Sequence, residues 1–224
     1  MIMPNVRFAV RLGILVSTTL LPASSWSVTI RDDQPDSGYI NLGASQAYAS
    51  VGLFVNSWGY TGSATLIAPD WILTAAHSLD AASSGTFTIN GIVYASTALF
   101  RDPGWNGNAF NGYDFGLVHL SSPVFGVTPA TLYAGSAEVG LTATYVGFGF
   151  TGTGLTGWKT LDGQRRAFQN VTDGNYGNPA ILLGSDFDNP HNTNDNAFGD
   201  AFPLPLEGAV APGDSGGGVF LTID

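Results

Sequence analysis

The pentapeptide Gly213-Asp214-Ser215-Gly216-Gly217 has the composition of a nucleophile turn. Glycines on both sides of an Asp-Ser pair permit a tight turn and leave the serine hydroxyl open. They also let backbone N–H groups converge on a developing oxyanion. A serine attacks only when a base takes its proton and a third group orients that base. The chain has 3 histidines. His77 closes Leu73-Thr74-Ala75-Ala76-His77, an apolar strand running into small residues, which puts an imidazole at a strand end beside a cleft. His119 falls inside an alternating strand and reads as a surface or structural residue. His191 falls in a loop rich in Asn and Asp. Asp114 opens Tyr113-Asp114-Phe115-Gly116-Leu117-Val118, where an acid at the mouth of an apolar strand can be half buried and hold an imidazole N–H. His77, Asp114 and Ser215 are therefore the candidate triad. Each also has a plainer reading, as a strand-end imidazole, a turn acid and a Gly-rich surface turn.

The elements that must carry these residues read as strands. Gly, Thr, Ser, Val, Phe and Tyr dominate, and helix formers are sparse. Short apolar runs punctuated by glycine occupy 48–56, 62–68, 71–76, 86–96, 115–120, 141–150 and 180–183. Strands at this spacing suggest a sandwich or a barrel. No apolar stripe of helical period is long enough to predict a helix after the first 27 residues. Residues 31–38 are polar with a proline and read as an extended leader or loop. Residues 121–135 are a plausible crossing between halves. Residues 184–200, dense in Asn and Asp, read as a long loop.

With 224 residues, the chain is long enough for one large all-β domain or two small ones. Residues 1–27 read as an export signal: Arg7 and Arg11 are its positive region, 12–21 its apolar region, and Ala23, Ser24 and Ser25 its small residues. Cleavage is expected after Ser25 or Ser27. The apolar run is short for a membrane span, so no stable insertion is expected once the signal leaves. Loss of Arg7 and Arg11 takes the formal net charge from −10 to −12. So acidic a chain disfavours nucleic-acid binding, which needs clustered Lys and Arg. There is no cysteine, so an exported chain must rely on core burial and not on disulfides.

The sequence resembles the chymotrypsin-like (trypsin-fold) serine endopeptidases, especially their secreted bacterial members. Residues 62–77 (GSATLIAPDWILTAAH) look like the family's strand pair leading to its histidine, and 113–118 like its aspartate segment. Residues 144–149 (TYVGFG) resemble a strand of its second barrel, and 211–217 (APGDSGG) its nucleophile loop. The resemblance runs from about Ile40 to the end of the sequence. It implies two Greek-key antiparallel β-barrels, over 40–130 and 131–224, after a signal over 1–27 and a leader or propeptide over 28–39. Nine residues follow Ser215, fewer than the family carries, so the second barrel is expected to be incomplete.

The resemblance also implies roles. Ser215 attacks the scissile carbonyl, His77 moves the proton, Asp114 orients His77, and the N–H groups of Gly213 and Ser215 form the oxyanion hole. Ala209 and Val210 fall at the base of the substrate pocket, with Glu207 as the alternative base if the register shifts. An apolar or small side chain before the cut follows from the first choice. Cleavage after Tyr39 would free Ile40 to pair with Asp214; Ile40 is equally readable as a strand residue. Ser78 and Ala211 stand where the family often has disulfide cysteines. No cofactor or metal is implied. Protein or peptide substrates are expected, with a monomer exported to the periplasm or beyond.

Other readings stay open. Residues 147–152 and 152–157 each fit G-x-G-x-x-G, but without a following helix or βαβ unit turn glycines explain them. Asp186, Asp188, Asp195 and Asp200 offer oxygens for calcium at a spacing that matches no defined loop. Two alternatives are not enzymes: a catalytically impaired trypsin-fold binding module, and a secreted β-sandwich adhesin with an accidental motif.

Overall fold

The computed structural model describes residues 6–8, 28–176, 182–199 and 201–222. Six strands close into a barrel in the order β3-β4-β5-β8-β7-β6. They are β3 (Val51–Asn56), β4 (Thr61–Ala68), β5 (Trp71–Thr74), β6 (Gly85–Ile89), β7 (Ile92–Arg101) and β8 (Gly116–Leu120). Alternate residues of these strands turn inward, and Phe54, Leu66, Ile72, Phe87, Val118 and Leu120 form the core. Two glycines make room for its largest rings. A Cβ on Gly52 would lie 2.5 Å from the Phe87 ring, and one on Gly85 would lie 2.5 Å from the Phe54 ring. Phe54 and Phe87 face each other across the β3–β6 ladder, so each ring covers the glycine beside the other.

The expected single strand over 86–96 is two strands. Asn90 (φ 49°) and Gly91 (φ 75°) are both left-handed and close the β6–β7 hairpin on the Ile89–Ile92 pair. This is the two-residue turn whose twist matches antiparallel strands. The Asn-Gly dipeptide signals it directly.

The second half is built differently. Its strands are β9 (Thr142–Gly147), β10 (Thr151–Thr153), β11 (Gly157–Thr160), β12 (Arg166–Val171), β13 (Gly174–Tyr176), β14 (Leu182–Gly184), β15 (Gly208–Ala209) and β16 (Gly218–Thr222). N-terminal strands β1 (Val6–Phe8) and β2 (Val28–Ile30) join them. One sheet runs β1-β16-β9-β12 and another β11-β10-β2-β15, with β13-β14 as a separate pair. Among the described residues this half forms open sheets, not a closed barrel. Tyr145 and Phe168 stack in its core, 4.9 Å apart and 1° from parallel. Apart from β1, the segment expected as an export signal lies outside the described residues. Among the described residues no helix is long and apolar enough to cross a membrane.

The N-terminal region departs from expectation in its secondary structure. Residues 31–38, expected as an extended leader or loop, include the start of α1 (Asp36–Gly43), and β2 before them lies inside a sheet. The helix was invisible to periodicity because tertiary contacts hold it. Arg166, 4% exposed, binds Asp36 at 2.7 and 2.8 Å and Asp162 at 2.9 and 2.8 Å. These bonds hold the guanidinium well above its ordinary range, as expected for a buried cation with two carboxylates. Arg165 donates to the carbonyls of Gly43 and Val51. Ile40, expected as a strand residue or a new terminus, sits inside α1, where its carbonyl accepts from Ala44 N.

Candidate active site

The barrel presents His77 and Asp114 side by side. Strand β5 ends at Thr74, and the chain turns through Ala75 and Ala76 into a single helical turn over His77–Leu79. Both alanines are fully buried; larger side chains would collide with the core, so the small residues before His77 have a packing cause. Asp114 precedes β8, which pairs with β5 through Thr74–Gly116. That register brings the acid to the imidazole. His77 N donates to Asp114 Oδ1 at 2.8 Å, and His77 Nδ1 lies 2.6 Å from Asp114 Oδ2. Two bonds from one residue fix the carboxylate, and Asp114 is only 2% exposed. A buried carboxylate so held orients the ring and leaves Nε2 free to take a proton.

His77 Nε2 lies 2.8 Å from Ser215 Oγ. Acid, imidazole and hydroxyl therefore form one continuous hydrogen-bonded chain, with Nε2 within the reach that proton transfer requires. Tyr60 OH stands 3.4 Å from the same Nε2. Sequence reasoning did not single out this tyrosine.

The nucleophile turn is held by the barrel. Ser63 on β4 donates from Oγ to Gly213 O at 2.8 Å, and Ser63 N donates to Ser215 O at 2.9 Å. Phe148 N donates to the same Oγ at 2.9 Å, and Thr74 Oγ1 donates to Ser63 O at 2.8 Å. Ser63 thus joins both halves at the nucleophile. The alternation Gly62-Ser63-Ala64-Thr65 was its only signal, since small hydroxyls on a strand are common. Gly213 and Gly216 have φ of +91° and +82°, a region glycine enters at little cost. A Cβ on Gly216 would lie 2.3 Å from both Ser63 O and Thr74 Oγ1. The motif's glycines are therefore required by fit as well as by conformation. Among the described residues, neither the Gly213 N–H nor the Ser215 N–H finds a hydrogen-bond acceptor. Two donors on the nucleophile turn stay available for an oxyanion.

Asp214 points away from this chemistry. Its Oδ1 accepts from Gly149 N at 2.8 Å and its Oδ2 from Ala211 N at 2.9 Å. Burial pushes its carboxyl up to about 7, because desolvation disfavours the charged form more than two amide donors favour it. Gly147 and Gly149 exist to admit it: a Cβ on either would lie 2.2 or 2.7 Å from Oδ1. The structure does not bring Ile40 to Asp214; one lies within α1 and the other is held by backbone amides.

Ala209 and Val210 line a narrow recess of about 10 Å³, room for about one water, with Tyr145, Phe168, Asn170 and Leu183. Asn170 spends its amide on the carbonyls of Asp186 and Gly208. Glu207 does not line this recess. Its carboxylate accepts from Asp188 N at 2.8 Å and Leu204 N at 2.6 Å, and burial raises its pKa. The alternative pocket base is thus occupied elsewhere. Ser78 is fully buried, and its Oγ finds no partner among the described residues.

The remaining histidines do other work. His119 Nδ1 lies 2.6 Å from Thr97 Oγ1 on the barrel wall, and His191 Nε2 lies 2.7 Å from Asp32 Oδ2. Residues 184–199 form the expected loop. Among the described residues no group of three His, Asp or Glu could hold a metal ion. Asp200 lies outside the described residues.

Comparison with known proteins bears on the family and the fold. Residues 62–223 match the family model described as the trypsin-like peptidase domain. The fold is similar to HL collagenase, with a TM-score of 0.53 and 17% identity over 79% of this chain and 89% of that one. A thermostable serine protease from an extremophilic microorganism matches at 0.47 and 16%, covering 80% of this chain and 81% of that one. An inactive form of a protease from M. tuberculosis H37Rv matches at 0.48 and 16%, covering 87% and 91%. No curated protein sequence matches. The family match sets aside the β-sandwich adhesin.

Proposed function

From the premise that this chain belongs to the trypsin-like peptidase domain family, we propose that it is an exported serine endopeptidase acting through His77, Asp114 and Ser215. The observation that carries the reading is the unbroken chain from Asp114 Oδ2 through His77 to Ser215 Oγ, with links of 2.6 and 2.8 Å.

In this reading Ser215 Oγ bonds to the scissile carbonyl carbon while its proton moves to His77 Nε2. Asp114 holds the imidazolium that results. The carbonyl oxygen, now an oxyanion, accepts from the N–H groups of Gly213 and Ser215; one such donor is worth about 10²–10³ in rate. As the carbon–nitrogen bond breaks, His77 returns the proton to the leaving amine, and the acyl group stays on Ser215. Water repeats the sequence and releases the acid. The chain at Ala209 and Val210 would border the side chain before the cut. Neither residue carries a charge, which favours small or apolar side chains over Lys or Arg.

A fluorophosphonate probe tests the reading. Ser215 is labelled in the folded protein, and His77→Ala abolishes the labelling. Folded protein that stays unlabelled would favour the impaired binding module instead.

A further inference from the structure

Gly208, Ala209 and Val210, the proposed wall of the substrate pocket, end a run of chain, 203–210, that has little regular structure of its own. Its only strand is the two-residue β15. On one side β12 holds it: Gln169 N donates to Leu206 O at 2.8 Å, and Asn170 Nδ2 to Gly208 O at 3.0 Å. On the other side the N-terminal segment pairs with it. β2 pairs antiparallel with β15, Thr29 opposite Ala209 and Ile30 opposite Gly208, and parallel with β10 on its far edge. Arg31 Nη1 donates to the carbonyls of Pro203 at 3.2 Å and Leu204 at 2.7 Å. Asp33 takes the rest of that guanidinium, at 2.8 and 2.7 Å. Tyr39 OH donates to Glu207 O at 2.9 Å and accepts from Arg31 N at 3.2 Å.

These contacts tie the segment into the fold. Tyr39 is fully buried, and burial pushes its hydroxyl up to about 12, so it stays a donor at any ordinary pH. Ile30 is 4% exposed. The bond after Tyr39 lies inside α1, where an attacking protease would have to unwind the helix first. Removing 28–39 would also strip β15 of its outer partner and leave backbone donors and acceptors unpaired, a substantial cost where they are buried.

We propose that residues 28–39 remain in the mature protein as a strap that sets the position of the pocket wall, with Arg31 and Tyr39 as positioning residues for the side chain before the cut. This rests on the peptidase reading above. The strap bonds to Pro203, Leu204, Glu207, Gly208 and Ala209, residues away from His77, Asp114 and Ser215 in the chain. It therefore separates substrate positioning from the reacting atoms.

The test compares two covalent reagents on the full chain and on Tyr39→Phe and Arg31→Ala. A small fluorophosphonate reports the triad alone; a peptidyl phosphonate with an alanine or valine side chain at the reacting position reports the pocket as well. Tyr39→Phe keeps the ring and its packing, so it guards against a variant that fails to fold. Loss of one such hydrogen bond should slow the peptidyl reagent by about five- to tenfold and leave the small reagent within about twofold. Equal slowing of both reagents, or of neither, overturns the strap, as does active protein whose mass shows it beginning at Ile40. A parent protein that the small reagent never labels overturns the peptidase reading and the strap's role with it. That result is distinct from normal small-reagent labelling with unchanged peptidyl labelling, which removes the strap alone.

Discussion

The two halves of the molecule solve the same problem, a β-core around an active-site edge, by opposite means. In the first, the strands come from one stretch, 51–120, and close on themselves. Closure leaves no strand edge unpaired. In the second, β2 and β10 are neighbours although more than a hundred residues separate them in the chain, and β15 has two residues. The proposed chemistry divides along the same line. The closed barrel carries His77 and Asp114, the proposed base and orienting acid, which need a fixed geometry. The open half carries the turn of Ser215, the proposed nucleophile, and the barrel steadies that turn through Ser63 and Thr74.

The largest expected effect tests the barrel's contribution. Asp114→Asn should leave the fold intact and slow labelling of Ser215 by about 10⁴, the size seen when a triad acid can no longer fix the imidazole tautomer. Labelling kinetics with circular dichroism checks it; slowing of only a few-fold would mean that the barrel supplies no orienting acid. Next, Phe54→Ala should cost about 3–5 kcal/mol by denaturant titration, because its ring also covers Gly85 in the barrel wall. A loss well below that range would mean that closure does not make the barrel core rigid.

Asp214 gives the open half a pH dependence. Its carboxyl is raised from an ordinary 3.8 to about 7, so the folded state keeps a proton that the unfolded chain releases near 3.8. Between about pH 4 and 7 the folded state binds more protons, and stability contributed by this group is present at the acid end and lost as pH rises toward 7. Asp214→Asn should flatten that part of a Tm-versus-pH profile; an unchanged slope would place its origin elsewhere. Ser63→Ala, at the joint between halves, should cost about 1–3 kcal/mol, since it strands Phe148 N and Gly213 O. It should also slow labelling more than Thr97→Ala, which alters only the barrel wall. The smallest effect is a gain. Ser78→Ala removes a buried hydroxyl without a partner and should raise stability by up to about 1 kcal/mol, read from the same titrations.

What the sequence made legible follows the same division. Most of the barrel's strands were readable within three residues, because inward and outward positions alternate locally; β6 and β7 were merged, and β7 runs five residues past the expected end. His77, Asp114 and Ser215 were readable because each sits in a local pattern whose residue types have one chemical use together. The Asn90-Gly91 hairpin was equally plain and was read through. In the open half the pairings are remote: nothing in Val28-Thr29-Ile30 announces a partner near 208. Helix α1 has eight residues and is held by Arg166, so no periodicity marks it. The pairing expected between Ile40 and Asp214 concerns a cleaved chain; in the uncleaved chain Ile40 lies in α1 and Tyr39 is buried.

The central claim is that the barrel's His77–Asp114 pair activates a serine held by the other half. The most direct measurement is the rate of fluorophosphonate labelling of Ser215 in the full chain and in His77→Ala. The account predicts labelling of Ser215 in the full chain and its abolition by His77→Ala. Labelling that persists in His77→Ala at a comparable rate, or labelling of another residue while Ser215 stays free, would contradict it.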